Sequence, residues 1–240
     1  MTHLLNQWQR PVAVGALQTT SLMGKDLDFD VHPSHRDPQA FSNMVAEFNL
    51  PHEPKFLQQV HGADVIEWQH PPAADFLYRA DACYTRADDV ICAVMTADCL
   101  PILLTDDQAS FVAAVHGGWR SLAAGIIGKT LEAINPVSPV LAWLGPCIQT
   151  AQYEVDQAFV ENYLNQPPLA ESAFTPVVHG KSHASLQTMA TLQLKQHAIK
   201  AIQQDSDCTY LQPQYHSWRQ NQTHARMATL IWKTSSTQPA

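Results

Sequence analysis

A run of short apolar segments in the middle of the chain constrains the fold most. Between Lys55 and Val115, segments rich in Val, Ile and Leu alternate with polar turns such as RADD and TDDQ. Segments of this length that are bounded by turn residues are typical of β-strands. The sequence therefore predicts a sheet in this region, with strands at FLQQV, DVIEW, DACYT, VICAVMT, PILLT and SFVAAVH.

Helical segments are predicted on both sides of this region. Asp37 followed by Pro38 opens an amphipathic segment that ends at Pro51, as in a capped helix. After Gly118 the apolar residues take helical spacing as far as Ile134, which predicts one continuous helix. The remaining predicted elements are helices from Asp156 to Leu164 and from about Ser185 to Gln203, and strands at Pro11 to Thr19, VLAWLG and RMATLIW.

The order of these elements predicts the fold class. Strands cluster in the middle and helices occur at intervals around them, so we expect an α/β fold of the α+β kind. Its sheet should be mostly antiparallel or mixed and flanked by helices. A chain of 240 residues, 45% of them hydrophobic, can bury one substantial core, and no low-complexity linker divides it. We expect residues 1–240 to form a single domain, as a monomer or a small homo-oligomer.

The composition disfavours several classes of partner. The formal net charge is −8, from 14 Lys and Arg against 22 Asp and Glu, and no basic run is present, so we expect no nucleic-acid partner. We expect no membrane partner either, because no apolar run approaches the roughly 18 residues of a membrane span. The five cysteines include no Cys-x-x-Cys pair and are predicted to be reduced thiols of a cytoplasmic protein.

Two apolar strands end in side chains that can carry chemistry. Cys99 follows a strand in MTADCLP, and His116 ends the strand FVAAV before Gly117 and Gly118. Functional side chains are commonly presented at such strand ends. Arg120 lies in the first turn of the following helix, where it could hold an anion together with free backbone amides. A buried structural thiol and a simple tight turn are the alternative interpretations.

A second histidine extends this set. His61 follows a short apolar segment in LQQVHGADV, much as His116 does in its own strand. Together with Cys99 they offer N and S donors, which suit Zn²⁺ with its fourth position open. The spacings match no compact zinc signature, so a second interpretation stays open, in which His116 activates a Cys99 thiolate as a nucleophile for acyl or amide transfer.

Several motifs in a fixed order resemble one known family. They are QQVHGADV, ADACYT, TADCLPILL, AAVHGGWR, GPCIQTAQYEV and RMATLIW. The chain resembles the bacterial purine nucleoside phosphorylase family, which is also described as multicopper polyphenol oxidase or laccase-like and as peptidoglycan editing factor. The resemblance is close from Phe56 to Val155 and looser to Trp232.

The resemblance implies a fold related to bacterial toxin cysteine hydrolases and a zinc ion on His61, Cys99 and His116. It also implies phosphorolysis of adenosine, inosine and methylthioadenosine to the base and ribose 1-phosphate, and deamination of adenosine. Purine nucleosides and phosphate are then the expected small-molecule partners. Cys99, His116 and Arg120 are the candidate catalytic residues, with Arg120 as the candidate phosphate holder.

Three alternative functions remain open. They are a Cys/His amidase that edits a peptidoglycan precursor, a copper-dependent polyphenol oxidase and a non-enzymatic purine-binding protein. A multicopper cluster would need further histidines, and the chain has no His-x-His pair, although copper could bind the Cys/His/His set in vitro. The segment from Thr19 to Asp37 matches the family pattern poorly, so we expect part of the substrate wall to differ.

Overall fold

The protein is described here from a computed structural model that covers residues 3–5, 7–23, 28–165, 171–177 and 180–235. Within those ranges, no helix has the length and apolar character that a membrane crossing requires.

Strands account for most of the regular structure in the described ranges. In chain order they are β1 (His3–Leu4), β2 (Val14–Gln18), β3 (Val65–Glu67), β4 (Ala82–Thr85), β5 (Cys92–Thr96), β6 (Leu100–Asp106), β7 (Val112–Gly117), β8 (Val140–Leu144), β9 (Glu154–Asp156), β10 (Phe174–Pro176), β11 (Lys181–Ala184), β12 (Ala201–Gln204) and β13 (Met227–Lys233).

The helices surround these strands. They are α1 (Pro38–Glu47), α2 (Trp119–Ala123), α3 (Ile126–Ile134), α4 (Gln157–Leu164), α5 (Leu186–Gln196) and α6 (Trp218–Asn221). Single 3₁₀ turns lie at Thr150–Gln152 and Glu171–Ala173.

The strands form three sheets. The largest has the order β12-β8-β6-β7-β4-β3, and it is antiparallel except for the parallel edge pairs β12–β8 and β3–β4. The second sheet, β1-β2-β13-β5, and the third, β10-β11-β9, are antiparallel throughout. The predicted mixed, mostly antiparallel sheet flanked by helices is therefore confirmed.

The six-stranded sheet is buried on both faces. On β6, Ile102 and Leu104 belong to the core shared with the helices, whereas Leu103 packs toward the four-stranded sheet. Because successive side chains point to opposite faces, a strand covered on both sides has a continuous apolar sequence, as PILLT does. A third core joins the other face of the four-stranded sheet to α1 through Phe41 and Met44.

Helix α1 begins where the sequence predicts. The Asp37 carboxylate accepts hydrogen bonds from the amides of Gln39 and Ala40, at 2.7 and 3.0 Å. These bonds satisfy amides that have no partner within the helix, and Pro38 has no amide hydrogen to satisfy.

The segment from Gly118 to Ile134 is not the single helix that the sequence predicts. It is broken into α2 and α3 at Gly125, whose φ of 75° is incompatible with a continuing right-handed helix. The apolar spacing continues across the break, because both helices pack on the same core, so the sequence pattern gave no sign of it.

The helix predicted to reach Gln203 also ends early. Helix α5 stops at Gln196, and Ala198 adopts a φ of 60°, after which Ala201–Gln204 pairs in parallel with β8 as an edge strand. FLQQV is not a strand, since only Gln58 forms an isolated bridge there. The third sheet was not predicted, because β9 to β11 carry few apolar residues.

The link between β5 and β6 positions the candidate site. Strand β5 belongs to the four-stranded sheet and β6 to the six-stranded sheet, so the chain changes sheets within Ala97, Asp98 and Cys99. Asp98 takes a φ of 89° in this turn. Its side chain accepts hydrogen bonds from the Thr209 hydroxyl at 2.7 Å and the Arg219 amide at 2.6 Å, which hold the turn in place.

Candidate active site

Cys99 lies at the point where the chain passes between the two sheets. It is half-buried, and the residue that follows it starts the fully buried strand β6. On the neighbouring strand, His116 pairs with Pro101 near the end of β7 and is only 3% exposed. The pairing of β6 with β7 therefore brings Cys99 and His116 to the same end of the six-stranded sheet.

His61 approaches from a loop before β3 and is exposed. Its backbone has a φ of 59°, a conformation uncommon for residues other than glycine. The loop is held by Asp81, whose carboxylate accepts hydrogen bonds from the backbone amides of Val60, His61 and Gly62 at 3.1, 2.9 and 2.7 Å. His61 is thus positioned by a buried charge and not by secondary structure.

Asp81 also orients His116. The distance between Nδ1 of His116 and Oδ1 of Asp81 is 2.8 Å. Because an ionised carboxylate can only accept, Nδ1 carries a proton, and in the neutral imidazole the free lone pair is on Nε2 of His116. Burial raises the pKa of the Asp81 carboxyl, but the hydrogen bond and charge of His116, together with the amides of Gly62 and Val60, outweigh this and lower that pKa below its ordinary value.

Gly118 leaves room for the three side chains to meet. A Cβ atom at this position would lie 2.8 Å from Cδ2 of His61, 3.3 Å from Cε1 of His116 and 3.5 Å from Sγ of Cys99. The second glycine of the HGG sequence is therefore required by the close approach of these side chains.

The donor atoms of His61, Cys99 and His116 fit a metal ion. They all lie within 4.8 Å of one another, and Sγ of Cys99 is 3.8 Å from Nε2 of His61. Tetrahedral angles with ordinary Zn–S and Zn–N bonds place such S and N atoms about 3.6 Å apart. In the described part of the chain this is the one cluster of at least three His, Cys, Asp or Glu side chains with such a geometry.

The three side chains also perturb one another electrostatically. Burial favours the neutral thiol, but the charge of His116 and hydrogen bonds from both histidines lower the pKa of Cys99 to about 6. Burial likewise opposes the charged form of His116, but the Cys99 thiolate and Asp81 raise its pKa to about 9. Without a metal, a thiolate and an imidazolium are the favoured pair at neutral pH.

A cavity of about 640 Å³ opens above this cluster. Its volume lies in the range of small-molecule sites. The lining includes Arg120, Arg219 and Arg226, together with the aromatic residues Phe76, Trp119, Tyr153 and Trp218. His32, from the segment that departs from the family pattern, also lines the wall, whereas residues 24–27 of that segment lie outside the described ranges.

The structure thus brings together all four residues singled out from the sequence. His61, Cys99 and His116 meet at one end of the cavity, and Arg120 lies on its wall. The helix that carries Arg120 has only 5 residues, so its dipole is too short to be the main source of positive potential. All five cysteines are free thiols, as expected.

Sequence reasoning did not assign a role to Asp81 or Arg219. Asp81 begins the motif DACYT and is fully buried, and an acidic residue that opens an apolar strand is a signal that could have identified it. Arg219 lies in YHSWR, far along the chain from Cys99, and no spacing rule predicts that it reaches the same cavity.

Comparisons with known proteins identify the family. Residues 33–234 match the family described as multi-copper polyphenol oxidoreductase laccase. The purine nucleoside phosphorylase YfiH of Escherichia coli is 35% identical over 95% of this chain and 98% of its own length. A purine nucleoside phosphorylase of Pseudomonas aeruginosa is 32% identical over 95% of this chain and 97% of its own length.

Solved structures agree with the sequence matches. A Neisseria meningitidis protein of the DUF152 family superposes with a TM-score of 0.83 and 31% identity, covering 98% of this chain and 99% of that protein. YlmD of Geobacillus stearothermophilus shares the fold, with a TM-score of 0.83 and 23% identity over 95% of this chain and 96% of YlmD. The chain therefore belongs to the bacterial family that is described both as purine nucleoside phosphorylase and as multi-copper polyphenol oxidoreductase laccase.

Proposed function

We propose that this protein is a zinc-dependent purine nucleoside phosphorylase that cleaves adenosine, inosine and methylthioadenosine with phosphate and also deaminates adenosine. The names of the Escherichia coli and Pseudomonas aeruginosa relatives support the phosphorylase activity. The observation that carries the proposal is the meeting of His61, Cys99 and His116 at one end of a cavity whose wall contains several arginines.

The donor set supports zinc as the resident ion. One thiolate and two imidazoles are ligands that zinc accepts in catalytic sites with one position left open. When bound there, zinc would act as a Lewis acid and lower the pKa of bound water. Asp81 would hold His116 in the tautomer that presents Nε2 to the ion, as hydrogen-bond partners of ligating histidines commonly do.

The cavity walls support a nucleoside and an anion as ligands. Arg120 supplies positive charge for phosphate, and Trp218, which is 51% exposed at the cavity lining, offers an aromatic face for a purine base. Among the described residues, Asp98 is the one carboxylate of the lining, and its two oxygens accept hydrogen bonds from the Thr209 hydroxyl and the Arg219 amide. The three arginines of the described lining therefore outnumber its carboxylate.

Chromatographic product analysis tests this proposal. Purified protein of known zinc content is incubated with adenosine in the presence and absence of phosphate. We expect adenine and ribose 1-phosphate only with phosphate, and inosine in both reactions because deamination needs only water. Zinc-loaded protein that yields no product from adenosine, inosine or methylthioadenosine would contradict the proposal.

A second candidate function is hydrolysis of an amide by Cys99. The observation that favours it is the continuous arrangement of Cys99, His116 and Asp81, which is the order of nucleophile, base and orienting carboxylate in cysteine hydrolases. The thiolate would attack the amide carbonyl, His116 would give its proton to the departing amine, and water would hydrolyse the thioester. Amidase activity that survives complete removal of metal would favour this function, whereas loss with metal would exclude it.

Copper chemistry is less well supported by the donor set. A multicopper cluster needs histidines beyond the two that meet Cys99, and the described ranges contain no second cluster of metal donors of that kind. The same three side chains could hold a single copper ion, because copper exceeds zinc in intrinsic affinity. Metal analysis of protein purified without added copper distinguishes the two ions.

A further inference from the structure

Two arginines of the cavity wall have no acidic partner. In the ranges that the structure describes, neither Arg120 nor Arg219 forms an ion pair with a carboxylate, although the chain carries an excess of acidic residues. Glu154 is adjacent to Arg219 in space but forms its ion pair with Lys181. Arg219 instead donates a hydrogen bond to the backbone oxygen of Glu154, at 3.0 Å.

Both guanidinium groups lie over aromatic rings. The Arg120 guanidinium carbon is 4.4 Å from the ring centre of Trp119, and that of Arg219 is 5.2 Å from the ring centre of Tyr153. Both rings in turn contact Phe159 of α4, with centres 4.3 and 6.1 Å apart. Stacking leaves the N–H groups at the guanidinium edge free to bind an anion, and it restricts the side chains before the anion arrives.

The third arginine of the cavity differs from these two. Arg226 donates to the backbone oxygens of Thr223 and Ala225, at 3.0 and 2.8 Å. Its own amide donates to the Asp30 carboxylate, at 2.8 Å. One nitrogen of the Arg226 guanidinium is therefore tied to its own loop by two backbone oxygens, whereas the Arg219 guanidinium donates to one backbone oxygen, that of Glu154.

We propose that Arg120 and Arg219, stacked on Trp119 and Tyr153, form the subsite that binds inorganic phosphate in this protein. The inference rests on the proposed phosphorolysis and extends it, because it assigns the anion to a pair of arginines from two separate helices, α2 and α6. The charged edges of two guanidinium groups suit the several oxygens of a phosphate dianion. Tyr153 itself lines the cavity and lies within the electrostatic influence of both arginines.

Phosphate binding to zinc-loaded protein tests this subsite directly. Calorimetric affinity for inorganic phosphate is measured for wild type, Arg120→Gln and Arg219→Gln. Arg79→Gln is the matched control, because Arg79 is exposed and does not line the cavity. We expect each cavity variant to weaken phosphate binding about 10- to 100-fold, in line with the contribution of hydrogen bonds to charged groups, and the control to match wild type. Zinc content and nucleoside KM should stay unchanged, while KM for phosphate rises.

The outcomes separate the subsite from the proposed reaction. Phosphate binding that depends on both arginines, without any phosphate-dependent product, would support the subsite and contradict phosphorolysis. Wild-type phosphate affinity in both cavity variants, or no phosphate binding by wild type, would overturn the subsite even if phosphorolysis occurs. Arginine-dependent binding of AMP but not of inorganic phosphate would also overturn it, because the anion would then belong to a nucleotide.

Discussion

The Asp81 carboxylate accepts a hydrogen bond from Nδ1 of His116 over 2.8 Å. It also accepts bonds from three successive amides of the loop that carries His61. One fully buried carboxylate therefore supports two of the three candidate metal ligands, which come from different parts of the chain. The geometry of the site depends on this charge as much as on the ligands themselves.

Replacement of Asp81 by Asn should therefore weaken zinc binding. The amide cannot accept from all the N–H groups that face it, and loss of such a supporting partner commonly costs 10- to 100-fold in metal affinity. Competition with a chromophoric chelator measures this change. Asp106→Asn is the control, because Asp106 is an equally buried carboxylate that accepts hydrogen bonds from Ser110 at the opposite end of β6 from Cys99. Wild-type zinc affinity in the Asp81 variant would contradict this role.

Replacement of Cys99 by Ala should remove both zinc and turnover while the protein remains folded. The side chain is half-buried at the cavity and contributes little to the core, so we expect a thermal unfolding curve close to that of wild type. Metal content by mass spectrometry and product formation are measured together. Cys92→Ala is the matched control, since Cys92 is fully buried between the sheets, away from the cavity, and should keep its zinc. An active, zinc-free Cys99→Ala protein would refute the proposed function.

The fold could be predicted where one local pattern determines the structure. Strands β6 and β7 each contain an uninterrupted apolar run, Leu100 to Leu104 and Val112 to Val115, and Asp37 with Pro38 gives an unambiguous helix start. The breaks could not be predicted in the same way. Gly125 interrupts a helix whose apolar spacing continues, and Ala198 turns the chain with no Gly or Pro to mark the turn.

The site could be predicted only in part for a related reason. His61, Cys99 and His116 each stand at the end of an apolar segment, and the resemblance to a family grouped them into one set. The distances between these three side chains depend on contacts between distant parts of the chain, because β5 and β6, on either side of Cys99, belong to different sheets. Arg219 reaches the same cavity through the hydrogen bond between its amide and Asp98, a contact across 121 positions that no local pattern encodes.

The metal-free protein should show an acidic thiol at Cys99. Since the pKa of this thiol is lowered to about 6, its thiolate fraction, and hence its rate of alkylation by iodoacetamide, should rise with pH around a midpoint near 6. Mass spectrometry of alkylated peptides follows this rate. His116→Gln should move the midpoint upward, because the imidazolium charge is lost. A wild-type midpoint near the ordinary value of 9.0 would contradict the close pairing of these side chains.

Replacement of Gly118 by Ala should disturb the site because the added methyl group is too close to its neighbours. The new Cβ would lie 2.8 Å from Cδ2 of His61, a distance that forces one of the two to move. His61 is on an exposed loop and can move, so we expect zinc affinity to fall while the unfolding temperature changes little. Gly62→Ala is the matched control, because its Cβ would meet only ordinary contacts at 3.5 Å and would keep the amide that binds Asp81. Chelator competition measures the zinc affinity of both variants. Equal losses of zinc affinity would mean that glycine is needed for the loop backbones. A loss confined to Gly118→Ala would show that the close approach of His61, Cys99 and His116 requires a residue without a side chain.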